Sequence, residues 1–169
     1  MTGPRITWLG HAGFRIEVVH NETPFVIYVD VWFENSKYPE DWKSKGTPDD
    51  ADLILVTHGH LDHSSAAPAL LAASTKPNCA IISIGEIGKY YQTVHNVNPD
   101  KTWSLNKSGT RDLGWCKVTM VSADHSSSCG IHQGSVFDGG AAAGFVIRFP
   151  HLGDYSIYHA GDTGIFLDM

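Results

Sequence analysis

Seven consecutive residues, Thr57-His58-Gly59-His60-Leu61-Asp62-His63, constrain this chain more than any other feature of it. They place three histidines and an aspartate between an apolar run, Asp52–Thr57 (DLILVT), and a small-residue run, Ser64–Ser74 (SSAAPALLAAS). The first run reads as a buried strand. The second reads as a helix, with Ser64 or Ser65 as N-cap and Pro68 in its first turn. His58 and His60 are two apart, so extended backbone turns both imidazoles to one side. Gly59 lets the backbone bend or approach a neighbour closely. Asp62 and His63 follow at the helix start, where the positive dipole end favours the carboxylate. One short segment can therefore feed two adjacent metal positions. Imidazole and carboxylate donors without thiolate suit Zn, and also Mn or Fe. The bland alternative is a solvated polar turn, and the density of donors argues against it.

Two further strand ends offer donors. Lys117–Ser122 (KVTMVS) leads into Asp124-His125-Ser126-Ser127-Ser128, and Tyr155–His159 (YSIYH) leads into Gly161-Asp162-Thr163. Sites in open α/β sheets gather beyond the carboxyl ends of strands, where His58, His125 and Asp162 all fall. The remaining strands are read at Arg5–Leu9, Gly13–Val19, Pro24–Val29, Ala80–Ile84 and Gly144–Phe149, with a short helix at Glu86–Thr93. Residues Trp32 to Asp50 read as a long polar loop studded with aromatics. The pattern is a mixed α/β layered fold in one domain, residues 1–169. A chain of 169 residues with 42% hydrophobic and 18% charged residues is neither disordered nor fibrous. Its net charge of −6 argues against a nucleic-acid backbone as partner. Three scattered cysteines make neither a disulfide framework nor a four-Cys zinc site, which points to a reducing, cytoplasmic setting. Neither a secretory leader nor a membrane-length apolar run is visible.

With those residues in view, THGHLDH resembles the HxHxDH signature of the metallo-β-lactamase superfamily of metal-dependent hydrolases. WLGHAGF near the start, the Asp30 that closes FVIYVD, HSSS after a strand, and YHAGDTG near the end narrow the likeness. Together they resemble the branch of small cytoplasmic hydrolases that includes ascorbate-phosphate lactonase-like proteins, with similarity from Ile6 to Asp168. The resemblance implies an αββα sandwich and two divalent ions, Zn first, with Mn or Fe as alternatives. It implies that His58, His60 and His125 hold one ion, that Asp62 and His63 hold the second, and that Asp162 bridges them. It places Asp30 behind a ligand histidine, fixing its tautomer, His11 at the site edge, and His159 in support. The resemblance also implies a last histidine downstream of Asp162. The chain stops seven residues beyond Asp162, so the second position is expected to be one ligand short and the sandwich to lack its last elements. Val31 stands where these relatives often carry proline.

The activity so implied is attack by metal-activated water on an ester, lactone or phosphoester of a small molecule, with Asp62 as the catalytic carboxylate. Two other readings stay open: an inert fragment that binds one ion, and a nuclease of the same superfamily. Self-association is a further expectation, because an unfinished sandwich exposes apolar surface. Ser126–Ser128 read as turn and hydrogen-bonding residues, and Cys129 as packing ahead of metal ligation. His20, His95, His132 and His151 read as surface histidines. Trp32, Phe33, Tyr38 and Trp42 read as anchors of the long loop in preference to a substrate lip. Gly139, Gly140 and Gly144 read as loop and strand entry, without the context of a dinucleotide site.

Overall fold

Short β-branched and aromatic runs build two sheets whose strand ends meet on one side. The structure is a computed structural model that describes residues 3–167. Residues 1, 2, 168 and 169, the ends of the expected domain, lie outside the described residues. The first sheet contains β1 (Arg5–Trp8), β2 (Phe14–His20), β3 (Thr23–Val29), β4 (Leu53–Leu55), β5 (Ala80–Ile84) and β6 (Thr102–Leu105), in that order. β1, β2 and β3 run antiparallel, and β3 to β6 run parallel. The second sheet has the order β12 (Tyr155–His159), β11 (Ala143–Phe149), β8 (Lys117–Ser122), β7 (Thr110–Asp112), and is antiparallel throughout. β9 (Ser128–His132) and β10 (Ser135–Asp138) form a separate hairpin.

Helices α3 (Ala67–Ala73) and α4 (Gly85–Val94) cover the first sheet at β4, β5 and β6. Every residue of β4 and β5 is buried, since these strands have helices on one face and the second sheet on the other. Tyr28, Leu53, Leu55, Ile81, Phe145 and Phe149 are among the fully buried side chains between the layers. The described residues thus supply α, β and β layers of the expected αββα sandwich. Among them, no helix is long and apolar enough to cross a membrane.

Four expectations need correction. The Ser64–Ser74 helix is two pieces, α2 (Leu61–Ser64) and α3, because the Pro68 ring would collide with the carbonyl four residues earlier. Their N-caps are His60 and Ala66, and the Ser64 hydroxyl instead donates to the Gly59 carbonyl at 2.9 Å. The Trp32–Asp50 loop contains a one-turn helix, α1 (Glu40–Lys43). Residues 128–138, which include His132 and to which the sequence assigns no strand, form the β9–β10 hairpin, whose turn places Gln133 and Gly134 at φ 51° and 81°.

Candidate metal centre

The centre is organised by a buried carboxylate. Asp30 follows β3 with φ 47°, a left-handed conformation that few non-glycine residues adopt. Its Oδ1 accepts the Thr57 backbone N–H at 2.9 Å. Its Oδ2 accepts the Thr57 hydroxyl at 2.6 Å and His63 Nδ1–H at 2.9 Å. Burial alone would raise the Asp30 pKa. The His63 hydrogen bond, the nearby imidazole charges and Thr57 outweigh it, so the carboxyl is held below its ordinary value.

These contacts fix the tautomers of His58 and His63. With its own hydrogen given to Asp30, the Thr57 hydroxyl accepts His58 Nδ1–H at 3.0 Å, leaving His58 Nε2 as a bare lone pair. His60 Nε2 pairs with Ser126 Oγ at 3.2 Å. His60 Nδ1 stands 3.1 Å from the His58 Nε2 lone pair, close enough to donate to it in the absence of an ion and to share a cation with it when one binds. The His125 ring stands 5.0 Å and 5.1 Å from the His58 and His60 rings. One donor atom from each of the three lies within 4.8 Å of the others. Burial, followed by the charge of His63, lowers the His58 pKa to about 4, so this imidazole is neutral and ready to ligate at neutral pH.

A second donor group stands beside the first. With Nδ1 committed to Asp30, His63 Nε2 is buried and has no hydrogen-bond partner among the described residues. It lies 3.9 Å from Asp62 Oδ2 and 3.5 Å from Asp162 Oδ1. The other Asp162 oxygen is 3.8 Å from His125 Nε2, so this carboxylate spans the two groups. His11 Nε2–H donates to Asp62 Oδ2 at 2.8 Å, and His11, Asp62 and His63 offer a second set of donors within 4.8 Å. Burial would raise the Asp62 pKa; the His11 hydrogen bond and the His63 charge hold it low. Asp30, His58 and His63 are equally close, but the Asp30 oxygens are taken by Thr57 and His63. A buried imidazole nitrogen with no partner, next to two carboxylates, is what a divalent cation would complete. The donors fit such an ion.

Gly59 permits the close packing beneath these side chains. A Cβ there would stand 2.7 Å from Cys129 Sγ and 3.0 Å from the Ser127 carbonyl. Its N–H donates to Ser127 Oγ at 3.0 Å. Cys129 is therefore wedged under the turn. Among the described residues it joins no donor group, and burial raises its thiol pKa to about 11. Within the long loop, Tyr38 is buried against Phe33 and Trp42 lies over Arg15. Only Trp32 of that aromatic set reaches the centre, its ring 5.6 Å from His11. His20 and His151 are partly buried against each other, 4.5 Å between rings, far from the role of isolated surface histidines. His159 accepts the Gly161 N–H through Nδ1 and donates from Nε2 to the Ala12 carbonyl at 3.1 Å, bracing the turn that carries His11.

Sequence reading passed over Thr57 and gave Ser126 no specific partner. The signal for Thr57 was a hydroxyl beside the first histidine of the cluster, able to relay between an imidazole and a carboxylate.

A family profile described as "Beta-lactamase superfamily domain" matches residues 5–169. The chain belongs to this family. Two curated relatives, from Rubrobacter xylanophilus and Methanosarcina mazei, each carry the name "UPF0173 metal-dependent hydrolase". Each is 39% identical, over 99% and 100% of this chain respectively. The chain spans 64% and 65% of their lengths. Igni18, described as a novel metallo hydrolase from the hyperthermophilic archaeon Ignicoccus hospitalis, superposes with a TM-score of 0.71 at 25% identity. That match covers 98% of this chain and 63% of the other. The family match and these folds bear out the superfamily resemblance and the mixed α/β architecture.

Proposed function

We propose that the protein is a hydrolase of small-molecule esters, lactones or phosphoesters that works with two divalent ions, Zn first and Mn or Fe as alternatives. The observation that carries this reading is the pair of adjoining donor groups. One brings His58, His60 and His125 together, with His60 Nδ1 3.1 Å from His58 Nε2, and the other has a buried His63 Nε2, unpartnered among the described residues, between two carboxylates. Membership of the beta-lactamase superfamily and the printed name of the relatives support it.

His58, His60 and His125 would hold one ion, Asp62 and His63 the second, with Asp162 between them. Ions bound there supply Lewis acidity and lower the pKa of water toward neutrality. The protein's own residues do the rest. Asp30 and Thr57 keep His58 and His63 in the tautomers that leave Nε2 free. Asp62, part-exposed and with its Oδ2 engaged by His11, has Oδ1 available to orient the attacking water and take its proton. Asp30, His11 and His159 would act by holding the donors in place.

The test is elemental analysis per chain, followed by assays on a lactone, a carboxylic ester and a phosphodiester. Two ions with turnover of one of these support the reading; one ion without turnover supports an inert binding module. Salt-sensitive binding of nucleic acid with its cleavage would support a nuclease instead. His58→Ala and His60→Ala should lose metal and activity, whereas His151→Ala, whose ring contacts His20 and the Val19 carbonyl, should retain both. Equal metal content in all three variants would refute the ligand assignment. Metal should also stabilise the fold, by about 2.7 kcal/mol per ion at a hundredfold excess over Kd. For a chain of this length that corresponds to about 5–11 °C in Tm. A melting curve unmoved by chelator would contradict it.

A further inference from the structure

We propose that His11 is itself a ligand of the second ion, so that the turn between β1 and β2 completes the donor set begun by Asp62 and His63. The inference rests on the two-ion reading above and goes beyond it, since there the second position has only two protein ligands and a bridging carboxylate.

Three observations carry it. First, donor atoms of His11, Asp62 and His63 lie within 4.8 Å of one another, the same closeness as in the three-histidine group. Second, His63 Nε2 is buried, unpartnered among the described residues and flanked by the carboxylates of Asp62 and Asp162. The His11 ring stands 5.0 Å from the His63 ring. Third, His11 is held in place from several directions. Its φ is 51°, and the turn is closed by Gly13 N–H to the Gly10 carbonyl at 2.9 Å. The Trp8 indole N–H donates to the His11 carbonyl at 2.9 Å, and His159 grips the Ala12 carbonyl. The Trp32 ring meets the His11 ring edge-on.

Nitrogen from His11, oxygen from Asp62 and nitrogen from His63 are a donor set that suits Zn, with Asp162 as fourth contributor. On binding, the imidazole of His11 changes tautomer: Nε2 gives up the hydrogen now directed at Asp62 Oδ2, Nδ1 takes one up from solvent, and the freed Nε2 lone pair turns to the ion. Fed this way, the second position draws on a segment 51 residues before Asp62.

The test titrates metal-free protein with Co(II) alone, and with Zn(II) against a competing chelator, following stoichiometry and the visible spectrum. Wild type should take up two ions. His11→Gln keeps a hydrogen-bond donor for Asp62 but is a poor ligand. It should bind the first ion normally and the second at least about 100-fold more weakly. His11→Cys should take up two Co(II) ions and gain a thiolate-to-cobalt charge-transfer band absent from wild type, whose own cysteines are buried. If His11→Gln binds the second ion as tightly as wild type, or His11→Cys takes up two ions without the band, His11 is not a ligand. The two-ion reading survives both of those results. A wild type that binds a single ion overturns both proposals together.

Discussion

Replacing Asp30 with alanine should cost the fold about 3–5 kcal/mol, the range expected when one partner of a buried, hydrogen-bonded charged pair is removed. Asp30 is 1% exposed, and its carboxylate takes three hydrogen bonds from two residues on separate elements. Alanine would leave the Thr57 N–H and hydroxyl and His63 Nδ1–H buried without acceptors, each carrying its own desolvation cost. It would also occupy a backbone conformation at φ 47° that its side chain does nothing to justify. Urea denaturation of chelated protein would measure the loss. The pH dependence follows from the direction of the shift. Folding lowers the Asp30 pKa below its usual 3.8, so the unfolded state binds the proton more readily. Its contribution is therefore complete above that value and is lost as pH falls through the folded value. The gap between wild type and variant should narrow in acid. Asp30→Asn separates charge from shape. Its amide would face His63 Nδ1 with a donor and so favour the tautomer that puts hydrogen on Nε2. It should lose less stability than alanine yet still fail to fill the second metal position. An alanine variant within 1 kcal/mol of wild type would show that Asp30 does not organise the centre.

That dependence on one carboxylate explains what could be read in the sequence. β5, β8 and β12 were legible to the residue because their apolar residues run continuously or alternate, and each begins and ends at a polar or glycine break. β6 and β7 were not, since TWSL and TRD carry almost no periodic signal and are strands only because β5 and β8 offer ladders to pair with. The β9–β10 hairpin hid for another reason: Gly130 interrupts SCGIH, and the glycines around it read as loop. At the centre, His58, His60, Asp62 and His63 announced themselves because their spacing is local. His11 and Asp30 did not acquire roles from spacing, because they reach the cluster across 51 and 33 residues through pairing of the first three strands. Family likeness placed Asp30 behind a histidine. Only geometry shows that Thr57 links it to a second one.

Substituting Gly59 should reach the same centre from below, with a cost near 3 kcal/mol, the upper end for overpacking a closed site. An added Cβ would meet three atoms at 3.0 Å or less: Cys129 Sγ, the Ser127 carbonyl oxygen and the Ser128 carbonyl carbon. Two of these are backbone and cannot rotate away. Relief must come from lifting the turn off β9, which also breaks the Gly59 N–H to Ser127 Oγ bond and carries His58 and His60 with it. Gly59→Ala should therefore weaken the first ion as well as the fold, whereas an ordinary buried glycine would cost stability alone. A double-mutant cycle locates the clash. Cys129→Ala removes the nearest atom, so the pair Gly59→Ala/Cys129→Ala should recover about 1 kcal/mol relative to the sum of the single changes. The backbone contacts hold the remainder. Additive effects would mean that Cys129 does not press on the turn. Unchanged affinity for the first ion in Gly59→Ala would mean that the positions of His58 and His60 are set from above, by Thr57 and Ser126, and not by the close packing of the turn on β9.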